Sequence, residues 1–199
     1  MLLNGEISQP LFCLMCCAKW IYDTLKTFRS HLEFVQPKRY VSGEMQFYLG
    51  RRYVLKVVEG KEVFPTVKMH RGKLVVTLTR FNDNKAAMVK ILVNRWYKTH
   101  AERVFYERLA ELLPQATWVK GIPSVRILAM QKQWGSCSAK GNLMLNPHLI
   151  KAPKECIDYV ILHELCHIAE YNHSEQFWRL MTRVMPNWKV VWMGWLSCI

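Results

Sequence analysis

The 199-residue sequence is poor in acidic residues: 15 Asp and Glu stand against 28 Lys and Arg, a formal charge of +13. No apolar run is long enough to span a bilayer, which excludes a transmembrane helix. LFCLMCCA (11–18) is apolar but short, and no positive region precedes it as a secretory signal requires. There is no glycine-rich phosphate loop, no internal repeat, no low-complexity tract and no recognisable nucleic-acid-binding motif. The seven cysteines (Cys13, Cys16, Cys17, Cys137, Cys156, Cys166 and Cys198) are odd in number and form no regular disulfide framework. Cys13-x-x-Cys16-Cys17 resembles half of a zinc knuckle, but no second pair lies nearby. Cys156 and Cys166 fall in an expected helix as buried thiols. Together these features predict reduced thiols and a cytoplasmic location.

The composition is that of a globular protein, 51% hydrophobic and 22% charged. The length suits one domain. Residues 1–18 read as an atypical N-terminal extension and 19–199 as a single domain, with its active-site half at 123–188. Residues 1–100 carry 17 Lys/Arg against 7 Asp/Glu, and residues 101–199 carry 11 against 8. Most of the positive excess therefore precedes the histidine-rich region. Such a surface attracts nucleic acid, nucleotides or anionic lipid, and it also serves as a plain solvated face.

Periodicity predicts a helix from Lys19 to about Glu33, carrying Trp20, Ile21, Leu25, Phe28 and Leu32. Two hairpins follow: MQFYLGRRYVLKVVEG (45–60), turning at Leu49-Gly50-Arg51, and PTVKMHRGKLVVTLTR (65–80), turning at Arg71-Gly72-Lys73. Asn82-Asp83-Asn84 can cap a long helix, or two, reaching Leu113. Met88, Leu92 and Trp96 lie on one face of it, and Phe105, Leu109 and Leu112 on another. SVRILAM (124–130) and GNLMLN (141–146) read as strands. Pro153 opens a helix through IDYVILHELCHIAEYN, and Ser174-Glu175 starts another that Pro186 stops. The order of elements is α+β.

HELCHIAEYNH (163–173) carries the chemistry. On a helix, His163 and His167 share one face, one turn apart, and can bind one metal ion. In an H-E-x-x-H site the carboxylate, here Glu164, takes the proton of a metal-activated water and delivers it to the leaving group. A catalytic zinc wants a third protein ligand and an open position. His173 and Glu170 compete for that place. The spacing to His173 matches H-E-x-x-H-x-x-G-x-x-H, with Glu170 where the glycine would stand. It requires the chain to turn near Tyr171-Asn172, and Asn tolerates the left-handed angles that end a helix. The alternative is a polar stripe on an ordinary helix, but the preceding DYVIL run would bury these groups without partners, at a cost a metal removes.

WGSCSAKGNLMLNPHLIKAP followed by IDYVILHELCHIAEYNHSEQFW resembles the YgjP-like metallopeptidases, zincins related in motif to the SprT-like and M48-type metallopeptidases. PKRYVSGE and YLGRRYVLKV extend the likeness, which runs from about Lys38 to Trp188. The resemblance implies a zincin-like fold, with a small mixed sheet packed on the active-site helix. It implies zinc on His163, His167 and His173, with Glu164 as the catalytic acid/base. It also implies that Trp134, Gly135, Ser136 and Cys137 form a strand and turn that holds an extended substrate. Asn146, His148 and Trp178 read as structural, with His148 a distant candidate for oxyanion binding. The first 18 residues and the apolar end KVVWMGWLSCI depart from the family pattern. Trp192, Met193 and Trp195 at that end would form a sticky patch if exposed.

The favoured function is zinc-dependent peptide hydrolysis. Histidine ligands also suit another divalent metal. One alternative is a metal-dependent hydrolase of a nucleotide or other phosphorylated small molecule, since the basic balance suits an anionic substrate. Another is a nucleic-acid-associated protease or binding module, for which charge alone argues.

Overall fold

Local turn chemistry sets the first layer. Leu49 and Gly50 take positive φ, 48° and 74°, the left-handed pair that matches a two-residue turn to strand twist. They join β1 (Met45–Tyr48) to β2 (Arg51–Glu59), with Met45 opposite Val54. Arg71 and Gly72 repeat the device at 45° and 73° and join β3 (Thr66–His70) to β4 (Lys73–Leu78). Both expected hairpins are present. β2 and β4 then pair parallel, giving the sheet order β1-β2-β4-β3.

The computed structural model describes residues 38–60, 63–79 and 84–196. The expected extension at 1–18, the helix at 19–33, the cysteines Cys13, Cys16, Cys17 and Cys198, and Asn82-Asp83 lie outside the described residues.

The inner face of the sheet presents Leu55, Val57, Leu74, Val76 and Leu78, all buried. The single long helix α1 (Lys85–Leu112) shares their core. Its buried residues are Val89, Val93, Trp96, Tyr97, Ala101, Val104, Phe105, Leu109 and Leu112. Steps of three and four make this one continuous stripe rather than the two faces expected, and Met88 falls off it, exposed. Asn84 occupies the N-cap position of α1 but makes no side-chain cap bond. The Tyr97 hydroxyl donates to the Phe47 carbonyl at 2.8 Å, fastening α1 to β1.

The second sheet is small and mixed. The expected strands shorten to β5 (Val125–Ile127) and β7 (Leu143–Leu145), which pair parallel. β6 (Gly135–Cys137) pairs antiparallel on the other side of β7, so the order is β5-β7-β6 and β6 is an edge. Three helices follow: α2 (Lys154–Ala169), α3 (Glu175–Val184) and α4 (Trp188–Leu196). The architecture is α+β, as expected. In the apolar end, Trp192 on α4 is half-buried and its ring lies 5.4 Å from Tyr159, while Met193 is exposed. Cys156 and Cys166 are buried thiols, as expected. No described helix is long and apolar enough to cross a membrane.

Three ties along α2 fix its position. At its start, the amides of Leu49 and Gly50 donate to the carbonyls of Ile150 (2.9 Å) and Lys151 (3.1 Å). In its first half, Arg108 of α1 grips Asp158 through Nε (2.6 Å) and a second nitrogen (2.8 Å), a two-point fork that sets orientation as well as attraction. Near its end, the Trp118 indole donates to the Leu165 carbonyl at 2.9 Å.

The first tie depends on a bare backbone. A Cβ on Gly50 would lie 2.9 Å from Pro153 Cγ, whereas one on Gly72 would meet nothing within 4 Å. Both glycines carry similar positive φ. Gly72→Ala is therefore expected to cost about 1 kcal/mol of backbone strain, and Gly50→Ala about 2–3 kcal/mol with overpacking added. Urea denaturation midpoints of the two variants check this. Equal costs would show that docking of the hairpin turn on Pro153 contributes nothing.

Candidate metal centre

His163 and His167 stand one turn apart on the same side of α2. The helix stops at Ala169, because Glu170 turns extended (φ −131°, ψ 103°). The break comes earlier than the expected turn at Tyr171-Asn172, and Asn172 does not take left-handed angles. Ser174 then caps α3, its hydroxyl accepting the Phe177 amide at 3.2 Å. The short link brings His173 back: its Nε2 lies 3.0 Å from His163 Nε2. One nitrogen from each of His163, His167 and His173 lies within 4.8 Å of the others.

Glu170, the competing third ligand, has other partners. Its carbonyl oxygen accepts from His167 Nδ1 at 3.1 Å, which leaves the Nε2 lone pair of His167 free. Its carboxylate accepts the Ser174 hydroxyl at 3.3 Å. Beneath the cluster lies Phe177, fully buried, with ring-centroid distances of 4.9, 4.7 and 4.7 Å to His163, His167 and His173. Trp178 stacks on His173 (5.6 Å, 21°) and Trp188 on Trp178 (4.5 Å, 16°), bracing the exposed histidine from outside.

The electrostatics fit a cation. Burial, then His167 and His173, push the His163 imidazolium pKa down to about 3. Burial and then His167 lower that of His173 as well. His163 and His173 are thus neutral at physiological pH, with lone pairs to offer. The nitrogen of His163 that converges on His173 is Nε2; its Nδ1 is buried without a hydrogen-bond partner among the described residues. A divalent ion among the three nitrogens gives each lone pair a partner, and imidazole donors suit zinc.

Glu164, next to His163 on α2, is buried, 6% exposed. Burial pushes its carboxyl up to about 7. Gly135 of β6 makes room for it: a Cβ there would sit 2.7 Å from Glu164 Oε1 and 2.9 Å from Val160 Cγ1. The segment expected to hold substrate is thus brought against α2. Trp134 precedes the strand, and its carbonyl accepts the Asn146 amide at 2.9 Å. Ser138 donates to the Asn142 carbonyl at 2.9 Å. Residues 134 and 138 therefore face β7, and antiparallel alternation leaves the N–H and C=O of Gly135 and Cys137 facing outward. Ser136 lies on the opposite face of the strand from Gly135. Burial, then Glu164, push the Cys137 thiol up to about 11, so it stays protonated. Buried Asn146 pins the approach to the strand: its amide donates to the Met130 and Gln133 carbonyls at 2.8 and 3.1 Å, and its Oδ1 accepts the His148 amide.

Two contributors carry no sequence signal: Phe177 as the floor and the Glu170 carbonyl as the orienter of His167. An apolar residue inside an amphipathic helix, and a backbone oxygen, look like any other.

Three imidazoles around one point, two of them on a helix that also carries the buried carboxyl of Glu164, could hold a metal ion as a mononuclear metallohydrolase does. A family model described as the YgjP-like metallopeptidase domain matches residues 13–194. The chain belongs to that family. A solved structure, the metallopeptidase zymogen abylysin of Pyrococcus abyssi, is 23% identical, with a TM-score of 0.44, over 48% of this chain and 94% of that one. No curated protein matches the sequence.

The buried carboxylate has a stability consequence. In the metal-free protein Glu164 titrates near 7 against an ordinary 4.5, so the folded state holds its proton more tightly. Its contribution is intact below pH 4.5 and is lost as pH rises through 7. At full ionisation the loss is on the order of 3 kcal/mol. Glu164→Gln is therefore expected to melt higher than the parent at pH 8 in chelator, with the difference shrinking towards pH 5. A difference that does not depend on pH would contradict this.

Proposed function

We propose that the chain is a zinc-dependent peptidase in which His163, His167 and His173 hold the metal and Glu164 moves the proton. The observation that supports this best is the convergence of three imidazole nitrogens, with the buried carboxyl of Glu164 next to His163 on the same helix. Bound zinc supplies the Lewis acidity that makes a water nucleophilic near neutral pH. Glu164 accepts the proton of the attacking water and passes it to the leaving nitrogen. The outward backbone groups of Gly135 and Cys137 pair with an extended peptide. Asn146 holds that strand in place, and the Trp178–Trp188 stack keeps His173 turned inward. The free strand edge favours a peptide over a phosphorylated small molecule, because it offers alternating backbone donors and acceptors.

Glu164→Gln is expected to keep about one zinc per chain by elemental mass spectrometry and to lose about 10²–10⁴-fold in kcat on a peptide substrate. His173→Ala is expected to lose the metal. Gly135→Ala, which forces Oε1 aside, is expected to keep the metal yet lower kcat. Unchanged peptide cleavage by Glu164→Gln would sink the mechanism. Phosphate release from a nucleotide, lost in Glu164→Gln while peptides stay intact in both forms, would move the assignment to the phosphohydrolase reading.

A further inference from the structure

The four-stranded sheet buries one face and presents the other. Strand alternation turns Arg52, Lys56, Lys68, His70 and Lys73 away from the buried inner face, and all five are exposed. The register gathers them. Lys73 lies opposite Val54 on one side and His70 on the other. Arg52 and Lys56 flank Val54 along β2, and Lys68 lies two residues from His70 along β3. Arg52, Lys56 and Lys68 are therefore the diagonal neighbours of Lys73, each about 7–8 Å away.

Among the described residues, the four strands place no counter-charge on this face. The one acidic residue in the four strands is Glu59, at the end of β2, and alternation places it on the Val57 side. None of the five basic residues is in an ion pair among the described residues. Like charges at this spacing repel one another, and a polyanion laid across them relieves that. Beside them Phe47 is 38% exposed, with the Arg52 guanidinium 5.9 Å from its ring centre. An aromatic ring next to an arginine is a stacking platform for a base.

We propose that this outer sheet face binds single-stranded nucleic acid through its backbone, without sequence preference. The face is a sheet surface, and among the described residues no helix or ribbon protrudes from it to enter a duplex groove, which favours a single strand. A membrane suits it less well. Its central apolar side chains, Val54 and Val75, are shorter than the lysines around them, and its large ones, Met45 and Phe47, stand only on the edge strand β1. The proposal does not rest on the metal centre.

The test is fluorescence anisotropy of the full chain with a labelled 20-nucleotide single-stranded DNA, titrated across salt concentrations. Four cations on phosphates predict a log–log salt slope of about −3. The triple variant K56E/K68E/K73E is expected to weaken binding at least tenfold and to bring the slope towards zero. The triple variant K98E/K120E/K140E makes the same change in net charge at exposed lysines elsewhere, and is expected to stay within twofold of the parent. Circular dichroism and metal content verify folding of both. Neutral K56Q/K68Q/K73Q, expected to weaken binding in the same direction, replaces the reversal should that fail to fold. Equal loss in both reversals would overturn the proposal, as would no binding at 50 mM salt. Equal or tighter binding to anionic phosphatidylserine vesicles or to polyglutamate would overturn the choice of nucleic acid.

Discussion

The geometry of the centre depends on the point where α2 stops. A helix carried past Ala169 would take His173 to a different side of the cylinder, since ten residues from His163 are far from a whole number of turns. Extended Glu170 ends the helix and then secures the result twice over, and Ser174 extends it. The Glu170 carbonyl orients His167, its carboxylate meets Ser174, and Ser174 caps the helix that carries Phe177. One departure from helical backbone thereby joins two histidines on α2 to a third in the link and to the apolar floor on α3.

That break is useful only if α2 itself cannot drift. The hairpin turn at Leu49-Gly50 holds its start, the Arg108–Asp158 fork its first half, and the Trp118 indole its end. These ties come from a sheet, a helix and a loop that contribute nothing to the chemistry. The fork is partly buried, so it is worth more than an exposed ion pair, which salt and side-chain entropy reduce to little. The N-terminal sheet and α1 therefore act on the site mainly as a mount for one helix.

What was legible in the sequence was local. Leu49-Gly50 and Arg71-Gly72 announce their hairpins because positive φ is a property of a few residues. HELCH announces its geometry because a helix converts a spacing of four into a shared face. The less legible parts were tertiary. IAEYN contains good helix formers, so nothing within it marks Glu170 as the stop; the partners that hold the stop are His167 and Ser174. Met88 fits the periodic pattern of α1 yet lies outside its buried stripe, because the sheet decides which face is covered. The three-residue strand at Gly135 is too short for alternation to register, and it was expected through a family likeness rather than through periodicity. The apolar tail left open whether it packs or stands exposed; Trp192 packs against Tyr159 while Val190 and Met193 are exposed.

Gly135 connects substrate binding to proton transfer on the proposed reading. In a strand, side chains stand perpendicular to the sheet while N–H and C=O lie in its plane. At Gly135 the perpendicular direction is filled by the Glu164 carboxylate, in the space a Cβ would occupy. The in-plane direction is the free edge. A peptide paired on that edge thus lies alongside a residue whose missing side chain is the seat of the acid/base. Any side chain at 135 would separate the two, and larger ones would do so progressively. The glycine is required there for close approach and not for a special backbone angle, since Gly135 is absent from the positive-φ glycines. An alanine at this position would leave the strand's hydrogen bonds in place and press on Glu164 and on the Val160 methyl beside it, so a fall in turnover with intact metal content and intact folding, not reproduced by Val160→Ala, would locate the defect in the proton-transfer group.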